Sequence, residues 1–133
     1  MMIVFKPGSY GYIAKKNIDT AVDNAQKHPS AAGVYAQQAV ETMLKQYLKE
    51  VLACTDAQLL HTHNLRKLTR AAKIDALEQY MQGMWELTDA YFNTRYPGED
   101  FCELTTEDAV KLCTVAVTVV SIVETEIEKF RVE

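Results

Sequence analysis

The stretch from Thr105 to Arg131 constrains the fold more than any other, because it holds no glycine, no proline and no turn dipeptide. An uninterrupted element of that length is far beyond an ordinary strand. The β-branched residues between Val115 and Val123, which taken alone favour strand, are therefore read as helix. Ala109, Leu112, Cys113, Ala116, Val119, Val120, Val123, Ile127 and Phe130 recur at helical spacing and form its expected buried side. Thr105-Thr106-Glu107-Asp108 has the shape of a capping box at its start. Such a helix has to bury its apolar side on other elements. With no alternation of strands and helices and no hairpin dipeptide, those elements are helices. The expected fold is all-α, an up-and-down helical bundle of four long helices plus one short helix.

The remaining helices follow from the same period. Ser9 caps one that begins near Tyr10 and turns Ala14, Ile18, Ala21, Val22 and Ala25 inward. His28-Pro29-Ser30 breaks it. Ser30 is expected to cap a second helix reaching about Val51, with Ala32, Ala36, Ala39, Val40, Met43, Tyr47 and Val51 as its apolar stripe. Cys54 to Leu60 reads as a polar connection. A short helix is predicted from Thr62 to Lys73 with Leu65, Leu68 and Ala72 inward. Asp75 is expected to cap the next helix, in which Leu77, Tyr80, Met81, Met84, Leu87 and Tyr91 face the core until Tyr96-Pro97-Gly98 ends it. Trp85 is assigned to that core with Tyr80, Met81 and Met84. The 133 residues, 48% of them hydrophobic, suffice for one domain spanning residues 1–133.

Composition excludes several classes. Three cysteines (Cys54, Cys102, Cys113) without paired spacing do not make a secreted disulfide framework. Met1-Met2-Ile3-Val4-Phe5 is too short for a signal-peptide core and runs at once into Lys6-Pro7-Gly8. The longest uncharged apolar stretch, Leu112 to Val123, is shorter than a membrane span. A cytoplasmic protein with no membrane association is expected. A net charge of −4 argues against unspecific nucleic-acid binding, although it is silent about a local basic patch.

Four groups of residues carry candidate chemistry. On the second helix Gln38, Glu41 and Lys45 fall together opposite the apolar stripe. They read as a solvated face with a favourable Glu-to-Lys pair, or alternatively as a phosphate-binding lysine beside an orienting carboxylate. His61-x-His63 lacks the spacing of a paired-ligand motif, so no metal is expected and a hydrogen-bonding or capping role is the better reading. Arg66, Arg70 and Lys73 form a basic stripe, either the water-facing side of the short helix or a phosphate or RNA contact surface. Tyr91, Arg95 and Tyr96 end the fourth helix, where an arginine beside two phenols can grip phosphate while a ring stacks on a base, or can simply cap carbonyls.

Three of these segments, in this order, resemble the HEPN domain family. Ala36-Gln37-Gln38-Ala39-Val40-Glu41-Thr42-Met43-Leu44-Lys45 is similar to the family's AQQAxEKxLK stretch. His63-Asn64-Leu65-Arg66-Lys67-Leu68 is similar to its H-[DN]-L-x-x-L, and Tyr91-Phe92-Asn93-Thr94-Arg95-Tyr96-Pro97 to its Y-x-x-x-R-Y-P. The resemblance runs from about Tyr10 to Phe130. It implies a dimerising helical bundle, often encoded beside a minimal nucleotidyltransferase in a toxin–antitoxin pair. It also implies one of two activities, nucleotide binding or metal-independent RNA cleavage.

The cleaving members carry an arginine followed four to six residues later by a histidine. Here every arginine (Arg66, Arg70, Arg95, Arg131) follows the last of the three histidines (His28, His61, His63), so that motif cannot occur. The resemblance therefore implies the branch without it: a homodimeric, non-catalytic module that holds a nucleotide or a nucleotidyltransferase-type partner. No cofactor is expected beyond a bound nucleotide, and RNA is not the expected ligand. Lys45, Arg95 and Tyr96 are the expected nucleotide contacts, with His63 and Arg66 secondary. The alternatives are a degenerate ribonuclease toxin and a structural homodimer whose Val119 and Val120 form the dimer face.

Overall fold

A computed structural model describes residues 3–133. The Met1-Met2 pair that opens the predicted leader lies outside the described residues. All regular structure among them is helical. The six α-helices are α1 (Tyr10–Asn24), α2 (Pro29–Glu50), α3 (Ala57–His61), α4 (Leu65–Ala72), α5 (Met81–Asn93) and α6 (Thr106–Val132), with a 3₁₀ turn over Asp75–Tyr80. The bundle thus has the four long helices and the short one expected, plus α3, which was read as a connection, and a 3₁₀ turn where the start of the next helix was expected.

Local chemistry accounts for these boundaries. The Ser9 side chain accepts a hydrogen bond from the Tyr12 N–H at 3.3 Å and caps α1. At α2 the expected cap moves. Pro29, with its φ preset and no N–H to satisfy, takes the first helical position and His28 precedes it. Ser30 is thereby freed, and its Oγ accepts from the Leu104 N–H at 2.9 Å, tying the loop before α6 to the start of α2. The connection over Cys54 to Leu60 contains α3, because Asp56 accepts from the Gln58 and Leu59 N–H groups and nucleates one turn. The short helix starts at Leu65 rather than Thr62, since Asn64 caps it by accepting from the Arg66 and Lys67 N–H groups. Asp75 caps nothing and instead opens the 3₁₀ turn. Thr105 and Asp108 form the reciprocal capping box of α6.

Helix α2 is the hub, packed against α1, α4, α5 and α6. Its core face carries Ala32, Ala36, Ala39, Val40 and Met43, all fully buried, but burial extends well beyond that stripe to Leu44 and Leu48. On α6 every position named for the buried side is buried except Phe130, in the last turn, which is 46% exposed. Val119 and Val120 lie in the core of the single chain, so the reading that makes them a dimer face fails. Val22 of α1 is likewise exposed. The C-terminal end of α6 is pinned by Arg131, whose Nε and Nη2 donate to both Glu50 carboxylate oxygens at 2.6 and 2.8 Å. Its Nη1 donates to the Val4 carbonyl at 2.9 Å. No helix among the described residues is long and apolar enough to cross a membrane.

Candidate functional site

Where α2 meets the start of α4 and the end of α5, polar side chains penetrate the bundle. Glu41 and Lys45 are one helical turn apart on α2, and Lys45 Nζ donates to Glu41 Oε2 at 2.8 Å. Both are buried, 6% and 4% exposed, which overturns the reading of Gln38, Glu41 and Lys45 as a solvated face. The cause is the position of α2: with four helices around it, even its polar side is enclosed. Gln38 separates from the pair and lines a surface groove. Its neighbour Gln37, fully buried, takes its place and donates from Nε2 to Glu41 Oε1 at 3.2 Å and to the His63 carbonyl at 3.0 Å. Gln37 was missed, although Gln37, Glu41 and Lys45 repeat every four residues and so share one helix face.

His63 stands on the extended link between α3 and α4, fixed by the Asn64 cap that follows it. Its Nδ1 lies 2.9 Å from Glu41 Oε1. A carboxylate paired with the Lys45 ammonium is an acceptor, so Nδ1 carries the proton in this contact. When the ring is neutral, Nε2 keeps a lone pair, on a side chain that is half exposed. The His63 ring is tilted against Tyr91 of α5, with centroids 5.2 Å apart. Tyr91 is buried, and the Arg95 guanidinium lies 4.3 Å from its ring centroid. Arg95 is also 5.5 Å from the ring of Tyr96, which is 52% exposed. None of the ion pairs among the described residues involves Arg95.

The structure thus brings together four of the five predicted contacts, Lys45, His63, Arg95 and Tyr96, through Glu41 and Tyr91. They do not play equal parts, because the Lys45 ammonium meets Glu41 and not solvent. Arg66 does not join them and lines another groove with Arg70 and Lys73. Beside Arg95 a groove of about 400 Å³ is lined by Ser30, Tyr35, Gln38 and Thr94 among others. His61 ends α3, and among the described residues no three His, Cys, Asp or Glu side chains gather as a metal site.

Every segment in this constellation comes from one of the three resembling stretches, and the HEPN domain profile matches residues 11–126. The chain belongs to the HEPN domain family. Comparison with curated proteins gives no significant match, and comparison with solved structures gives none. In this HEPN domain the three motifs are segments of one spatial cluster: the first supplies Gln37, Glu41 and Lys45, the second His63, the third Tyr91, Arg95 and Tyr96.

Proposed function

We propose that this HEPN domain is a non-catalytic module that holds a nucleotide, or a nucleotide-bearing partner, at the mouth formed by His63, Arg95 and Tyr96. Membership of the family makes it a nucleotide- or RNA-related module; the finer reading is supported by one juxtaposition. An unpaired guanidinium and an imidazole both pack on the buried Tyr91 ring, and the imidazole is oriented from behind by a buried carboxylate. Arg95 takes phosphate by two parallel hydrogen bonds. Tyr96, exposed beside it, offers a face to the base. His63 Nε2 accepts from a ribose hydroxyl or a base amino group rather than donating to phosphate. Lys45 and Glu41 act as positioning residues, and Arg66 stands outside this site.

The same reading includes a homodimer in the cytoplasm, working with a nucleotidyltransferase-type protein in a toxin–antitoxin pair. Thermal unfolding tests the site directly. ATP or GTP at a hundredfold excess over Kd should stabilise the wild type by about 2.7 kcal/mol. Arg95→Ala should lose that gain while keeping its own unliganded melting temperature. An equal gain in the variant removes Arg95 from the site.

The approach of His63 and Arg95 to one tyrosine is also the observation that favours a residual ribonuclease. On that reading His63 would accept the ribose 2′-hydroxyl proton and Arg95 would face the phosphate. Single-stranded and transfer RNA left intact by the purified protein, alone and with its partner, would sink it.

A further inference from the structure

The site described above does not use the basic stripe of α4. Arg66, Arg70 and Lys73 are all exposed, and none of the ion pairs among the described residues includes them. Together with Trp85 of α5 they line an open groove of about 1070 Å³. Trp85 is the only tryptophan of the chain and is 48% exposed, against the expectation that it packs in the core. The reason lies in the helix period: Met84 and Leu87 take the buried face of α5, and Trp85 falls outside it.

Three unpaired cations and one uncovered indole in the same groove are two different kinds of unsatisfied surface. A ligand satisfies both if it carries a series of negative charges and a flat ring. At 1.5 Å of rise per residue, Arg66 and Arg70 stand about 6 Å apart along α4, and Lys73 follows the helix as its left-handed C-cap residue. That ladder can follow successive phosphates of a strand. An indole stacks on any base, because every base has a π-face. Asp75 and Glu78, from the 3₁₀ turn, line the same groove and offer acceptors to base amino groups.

We propose that the groove between α4 and α5 binds single-stranded nucleic acid, with phosphates on Arg66, Arg70 and Lys73 and a base stacked on Trp85. An acidic protein segment fits less well, since an apolar anchor needs a closed, desolvated pocket and this groove is open with mostly polar walls. The expectation against RNA rests on the net charge and on the absent cleavage motif. Neither bears on a local patch that binds without cutting. The groove is distinct from the one beside Arg95, so the proposal stands apart from nucleotide binding there.

The test titrates the whole chain with a labelled single-stranded oligouridine of about eight nucleotides, within the range of strand lengths such grooves take. Trp85 fluorescence and the anisotropy of the label are read together. The expected result is quenching on binding, with affinity falling about twentyfold between about 50 and 200 mM salt, as three phosphate contacts dictate. Arg66→Gln with Arg70→Gln should weaken binding at least about tenfold and flatten the salt slope to about a third. Trp85→Ala should lose about tenfold by anisotropy. The losses in the groove variants should be the same size in an Arg95→Ala background, which separates failure here from failure of the nucleotide site. Circular-dichroism melts check each fold, and if the double variant is unfolded, Trp85→Ala decides. The proposal is overturned by no binding at low salt, by equal affinity for a duplex, or by affinity unchanged in the groove variants. Equally strong competition from a polyglutamate peptide overturns it too and assigns the groove to an acidic protein segment.

Discussion

Glu41 and Lys45 show at the residue scale what sequence spacing reveals and what it hides. Their separation of four, in the favourable order, was legible as an ion pair. Their burial was not, because a helical wheel assigns one apolar face and cannot count the helices that will surround it. The bond from His63 to Glu41 spans 22 residues, and no local pattern encodes it. Burial changes the energetics. A surface pair at this spacing contributes a few tenths of a kcal/mol, whereas breaking a buried one strands a charge and costs about 3–5 kcal/mol. Glu41→Gln should therefore destabilise the domain by about that amount in urea unfolding. Adding Lys45→Met should recover most of the loss, since the stranded ammonium is then gone. A loss under about 1 kcal/mol for Glu41→Gln would mean that Lys45 escapes to water.

Element by element, α6 was the most readable part of the chain, with only Phe130 misassigned on its buried side. Long, strongly periodic segments reveal their buried face; short ones depend on single caps, which is why α3 was missed, whereas the 3₁₀ turn was read as the first turns of α5. Each such cap has a measurable weight. Thr105→Ala removes one half of the capping box and should cost about 1 kcal/mol in unfolding free energy. The same region contributes to acid sensitivity. The hydrogen bond from the Thr105 backbone N–H holds Asp108 below its ordinary carboxylate value, and the Arg131 hydrogen bond does the same for Glu50. Both groups bind protons more weakly folded than unfolded, so their stabilisation is present above the ordinary carboxylate range and is lost as pH falls through it. The melting temperature should decline between about pH 5 and 3, modestly because both groups meet solvent. Glu50→Gln should remove part of that slope, and an unchanged slope would assign the acid response to other carboxylates.

For the whole molecule, the arrangement of α5 decides whether there is a site at all, because α5 carries Tyr91 and the turn after it carries Arg95. Its approach to α6 depends on Gly83. A Cβ built there would lie 2.8 and 3.0 Å from the two methyl carbons of Val115, a branched side chain with little room to turn. Gly83→Ala should therefore push the helices apart and destabilise the domain by about 1–3 kcal/mol, read by chemical unfolding. Wild-type stability in that variant would show that α5 and α6 are not held at this distance. A bundle of helices was legible from period and punctuation alone; the convergence of three separated motifs, linked through Glu41, His63 and Tyr91, was not.

That convergence is the centre of the functional account, and calorimetry tests it most directly. ATP, GTP and AMP would be titrated into the wild type and into Arg95→Ala. The account predicts binding of at least one of them to the wild type and its loss in the folded variant. Binding of equal strength in both, or no binding by any of the three, would contradict it.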